Sequence, residues 1–159
     1  MEQTDELRKL YKLAVIAAAA IILTLAIYTV VVEVIRSRHE FFFGFVNLDN
    51  IGIIRYVFYG LAVIQVVIIR VLRGVLLKKS PSDDAVKLKD KLFKASIFTS
   101  VFCEVPAIFG LVLFLLGGLY KDFYILLFVS LFLMFMFFPR YNNWETWLKE
   151  NNPSKCFLP

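Results

Sequence analysis

The chain has 159 residues, 60% of them hydrophobic, with a mean hydropathy of +0.73 and a formal net charge of +5. That much apolar surface does not fit a soluble domain of this length, but it suffices for about four membrane spans. A single histidine and two cysteines without metal-ligand spacing argue against a His-based metal centre, a Ser-His triad and a disulfide framework.

The N-terminal stretch MEQTDELRKLYK mixes acidic and basic residues, and no small-residue cleavage site follows the apolar run. The first span is therefore expected to be retained, over residues 13–33, with alanines at 17–20 that permit close helix packing. Glu33 closes it. The loop that follows carries HEFFFGFVNLDN, whose aromatics suit the headgroup region. Span two is read over residues 51–77, interrupted by Arg55, Arg70 and Arg73, so that these arginines must snorkel or find partners.

The charged connection KKSPSDDAVKLKDKLFK comes next, with Ser82 or Asp83 placed to cap a short helix leading into span three. Span three covers residues 95–120 and carries one charge, Glu104, between Lys94 and Lys121. Its length corresponds to about 39 Å of helix against a hydrocarbon core of ~30 Å. Small residues recur along one face at three- and four-residue spacing. Among them Ser100, Ala107 and Gly110 are expected to contact another helix. After Lys121-Asp122, span four runs over residues 123–138 and ends at Pro139-Arg140. The tail, 140–159, holds Trp144 and Trp147 three apart, as an interfacial anchor would.

The expected fold is a single all-α domain over 1–159, a four-helix transmembrane bundle. Of the 18 Lys and Arg residues, 14 fall in the two tails and in the second connection together with the end of span two beside it, which adds Arg70 and Arg73. The positive-inside rule then places both termini in the cytoplasm, in a multi-pass protein of a bacterial or archaeal cytoplasmic membrane. The same rule accounts for the net charge without nucleic acid. The expected partners are the lipid bilayer and further membrane subunits, either copies of this chain or others.

Glu104 is the residue that most asks for a role, because an ionised carboxylate at mid-membrane costs at least ~2.5 kcal/mol. Counted from the cytoplasmic end of each span, Glu104 and Thr24 lie about 16 Å in, Gln65 about 18 Å and Ser130 about 13 Å. One polar residue per span thus falls in a common layer, a set of oxygens suited to a proton or small cation. The alternative is a neutral Glu104 that serves helix packing alone. Arg70 either pairs with Glu104 or, as its neighbours favour, snorkels to the headgroups. Glu33 and Arg55, at similar depth near the outer surface, are expected to form an ion pair. No catalytic motif is present: there is no phosphate-binding glycine loop, no nucleophile with a histidine and no His-Glu helix signature. No cofactor and no metal site are expected.

The residues Glu104, Ile108, Gly110 and Val112 resemble the carboxylate helix of rotary ATPase proteolipids, the subunit c family. That family shows Glu, then Ile or Leu four residues on, Gly six on and Val eight on. The likeness extends loosely over residues 60–110, a helix, a charged connection and the carboxylate helix. It implies that Glu104 is an ion-binding carboxylate and Gln65 a ligand from the facing helix.

The orientation is testable in a background lacking Cys156. A cysteine at Ser82 or Ser154 should resist an impermeant thiol reagent applied outside, while one at His39 should react. External labelling at Ser82 would overturn both the orientation and the proteolipid comparison.

Overall fold

The computed structural model describes residues 2–38, 42, 44, 45, 51–77 and 85–151. They form α1 (Glu2–Arg38), α2 (Ile51–Leu76), α3 (Ala85–Gly117), α4 (Tyr120–Phe137) and α5 (Tyr141–Asn151), and no strand occurs among the described residues. The first four helices are long and apolar enough to cross a membrane. This is the all-α, four-span chain that hydropathy implies. The proposed cap at Ser82 or Asp83 lies outside the described residues. α3 starts at Ala85, so the amphipathic segment and span three are one continuous helix.

α3 is the central helix, packing against α1, α2, α4 and α5, whereas α1 and α2 scarcely touch each other. The seam of α1 explains how. Leu7, Tyr11, Ala14, Ala18, Ile21, Leu25, Tyr28, Val32 and Ile35 alternate steps of four and three residues, and all are buried or half-buried. Such spacing keeps one stripe of a long helix facing its partner at a shallow left-handed crossing. The remaining faces of α1 and α2 present Ile16, Leu23, Ile27, Val63, Val67 and similar side chains outward, which only lipid or another apolar surface accommodates.

Three layers of core stack along the bundle. At one end Leu7, Ala14, Leu92 and Trp144 pack together. In the middle are Ala18, Ile69, Cys103, Leu133 and Met134. At the far end, Leu25, Val32, Ala107, Phe114, Phe123 and Leu127 form one cluster and Ala62, Leu113 and Leu126 another. The first layer corrects one expectation. Trp144 is only 3% exposed, held beneath α1 with its ring 5.8 Å from that of Tyr11, so it is a core residue. Tail residues 141–151 coil into α5 and tuck the indole inward, burying more apolar area than a headgroup position offers.

Two glycines shape the far end. Gly118, at φ 67°, closes α3: its N–H bonds Phe114 O at 2.8 Å and the chain reverses directly into α4. Gly44, at φ 91°, lies so close to α3 that a Cβ would fall 2.2 Å from Leu116 O. The next residue, Phe45, donates its N–H to Leu115 O at 2.8 Å, and the Phe42 ring packs 5.1 Å from that of Phe114. At least Phe42 of this aromatic loop therefore packs on protein.

Gly110 lets α3 and α4 close on each other. A Cβ there would sit 3.1 Å from Leu126 Cβ and from the Phe123 backbone. Gly110→Leu should therefore destabilise the bundle by ~1–3 kcal/mol. Gly60→Leu, at a site with nothing within 4 Å of an added Cβ, should be near neutral. Unfolding in mixed detergent micelles would measure both, and equal losses would disprove the assigned packing face.

Candidate functional site

The site is built around a fault in α3. Pro106 lies inside the helix and has no N–H, so the carbonyl of Phe102, four residues earlier, loses its ladder donor. In hydrocarbon such a carbonyl must find another partner. Gln65 of α2 supplies it, its Nε2 donating to Phe102 O at 3.1 Å. Ser130 of α4 donates its hydroxyl to the adjacent carbonyl, Cys103 O, at 2.6 Å. Both side chains belong to buried residues, Gln65 being 7% exposed and Ser130 0%. One turn of α3 is thus joined by side-chain hydrogen bonds to the helices packed against it.

Glu104 is the next residue along, half-buried, and faces α1. Its Oε1 accepts a hydrogen bond from the Tyr28 hydroxyl at 2.8 Å. Tyr28 lies on the α1 seam, which is why its phenol reaches inward. Among the described residues no ion pair to Glu104 occurs, and Arg70, exposed on α2, forms none. Thr24 turns back on its own helix, donating to Ala20 O at 3.0 Å.

The four polar residues of the expected layer therefore sort into three roles. Gln65 and Ser130 meet at the same turn of α3, with their donors on backbone carbonyls; Thr24 bonds within α1; Glu104 is partnered by Tyr28. Of the packing residues, Ser100 and Ala107 are buried and Gly110 is pressed against α4. No group of three His, Cys, Asp or Glu side chains suited to a metal lies among the described residues.

A second polar cluster lies toward the far end. Asp122, with a side chain only 4% exposed, accepts from Arg55 Nη2 at 2.9 Å and from the Tyr59 hydroxyl at 2.7 Å. Arg55 is thus paired with Asp122, not with Glu33. Asp122 occupies the first turn of α4, where the helix dipole favours a carboxylate, and burial holds it within reach of α2. Glu33 instead pairs with Arg36 at 3.5 Å and accepts a hydrogen bond from Tyr124. The Arg36 guanidinium lies over the Tyr120 ring, 4.9 Å from its centre.

Tyr28, Tyr59, Pro106 and Asp122 were missed as site residues in the sequence. Pro106 was detectable: proline within an apolar span implies an unpaired carbonyl at Phe102 and hence a donor on a neighbouring helix. Asp122 was masked by its place beside Lys121 in a polar break. Tyr28 is the one aromatic residue of span one, but its place in the sequence does not show that its hydroxyl faces Glu104. No protein-family model, curated protein or solved structure matches the chain.

If Gln65 serves the carbonyl freed by Pro106, the two positions must be coupled. Gln65→Leu should cost ~0.6–1.7 kcal/mol in the native background. It should cost clearly less with Pro106→Ala, where the restored N–H reaches Phe102 O. A double-mutant cycle on unfolding free energies measures the difference. Purely additive losses would contradict the coupling.

Proposed function

We propose that this chain is a small non-catalytic subunit of a membrane assembly, and that Glu104 is its functional group, taking up and releasing a proton within the bilayer. One observation carries the reading: a lone carboxylate in an apolar span whose partner is a neutral phenol, with no cation beside it among the described residues. Ionisable groups kept at such depth mark proton or ion paths as a rule. Tyr28 occupies Oε1, which leaves Oε2 to carry the proton. Between a proton and a metal cation, the arrangement favours the proton, since the hydrogen bond given to Glu104 comes from Tyr28 while Gln65 and Ser130 bond the α3 backbone instead, and no cluster of metal-ligating side chains lies among the described residues. The resemblance of residues 104–112 to the proteolipid carboxylate helix supports the same role, in ion transport by an oligomer of this chain or with other subunits. The charge bias supports an orientation with both termini in the cytoplasm.

A structural reading has its own support. Gln65 repairs a broken helix and Ser130 ties α4 to the same turn, and the outer faces of α1 and α2 are apolar enough to pack in a larger complex. In that case Glu104 with Tyr28 is one more interhelical tie.

Glu104→Gln separates the two, because it keeps volume and hydrogen bonding while removing the exchangeable charge. The expected result is a folded, assembled protein without function. A hydrophobic carbodiimide, which reacts with the protonated acid, should label the wild type at Glu104, with the rate falling as pH rises. Tyr28→Phe should alter that pH dependence without abolishing labelling. Full activity of Glu104→Gln together with an unlabelled wild type across pH 5–8 leaves only the structural reading.

A further inference from the structure

The opposite polar feature of the molecule lies at the end that holds α5. A cleft there runs between the last turns of α2, the start of span three and the α4–α5 junction, lined by Arg73, Ser96, Thr99, Arg140, Asn143 and Trp144. Arg73 stacks over Phe137, 5.8 Å from the ring centre, and neither it nor Arg140 is in an ion pair among the described residues. Arg140 immediately precedes α5, whose N-terminal dipole adds positive potential at the same point. The cleft is narrow, about 20 Å³, so an anion seats at its mouth, not on its floor. A second feature continues from this mouth. A groove of about 460 Å³, lined by Ile22, Leu131, Met134, Phe135, Phe138 and Arg140, runs along the outward side of α1 and α4. Arg140 and Phe138 line both.

We infer that this end of the bundle binds one anionic glycerophospholipid, its phosphate held by Arg140 and Arg73 and an acyl chain laid in the groove beside Leu131 and Phe135. Two guanidiniums with no carboxylate partner among the described residues recognise a phosphate with several directed N–H donors, and basic clefts between membrane spans take anionic lipid headgroups. The apolar groove joined to them distinguishes a lipid from a free phosphate, since a soluble anion gains nothing from it. This inference rests on the membrane-spanning reading alone and is independent of the role of Glu104.

The test uses the full chain, purified in neutral detergent, with phosphatidylglycerol, phosphatidylcholine or inorganic phosphate added, and lipid retention read by native mass spectrometry. Phosphatidylglycerol should be retained selectively. R73Q/R140Q should weaken its retention roughly tenfold or more. R70Q/K87Q, which removes two exposed charges near the same end, should leave it nearly unchanged. L131W, which fills the groove without touching an arginine, should also weaken retention of the lipid. Equal weakening by the two charge-removing variants would reduce the effect to general electrostatics and overturn the site. So would competition by inorganic phosphate as effective as that of the lipid, or full retention in L131W.

Discussion

In hydrocarbon a backbone carbonyl has no water to fall back on, and the whole arrangement answers to that constraint at one place, Pro106. A proline in the middle of the central helix opens its hydrogen-bond ladder. The repair comes from Gln65 on α2, and Ser130 on α4 bonds the adjacent carbonyl, so the relative heights of α2, α3 and α4 are set by polar contacts of fixed length. Apolar packing in a bilayer discriminates weakly between registers, because side chains slid by one turn still meet side chains. A carbonyl that only one side chain can reach discriminates strongly. Small residues finish the work: Ala107 and Gly110, just beyond the proline, allow α3 and α4 to approach closely enough for these bonds to form.

The carboxylates of the bundle share a second pattern. Glu104, Asp122 and Glu33 each receive a tyrosine hydroxyl from another helix. A phenol suits this environment, since its ring packs like any apolar side chain while its tip donates. Two of the three acids also have an arginine beside them, Arg55 at Asp122 and Arg36 at Glu33, and both lie toward the far end of the spans. Glu104, deeper, has the phenol alone among the described residues. That difference in charge compensation sets it apart chemically from its neighbours more than its depth does.

The architecture was legible in the sequence because each span is an apolar run bounded by charge, and hydropathy does not depend on which faces meet. The importance of span three was legible too: a stripe of small residues beside a lone carboxylate marks a helix enclosed by others, and α3 is the central one. What stayed hidden depended on azimuth. Counting along each helix gave Thr24, Gln65, Glu104 and Ser130 a common depth, yet depth says nothing of the direction in which a side chain points. Thr24 bonds within its own helix, while Gln65 and Ser130 point at the α3 backbone. The same blindness paired Arg55 with Glu33 by depth, when Asp122 was the acid on the right side of the helix.

The turn at Gly118 has a mechanical consequence. Only residues 118 and 119 separate α3 from α4, so the ends of these two helices remain within about 11 Å of each other however the bundle deforms. The hydrogen bond from Phe45 to Leu115 attaches the α1–α2 connection to the same rim. That rim therefore acts as a hinge pin. Any change in the separation of α3 and α4 is smallest at this rim.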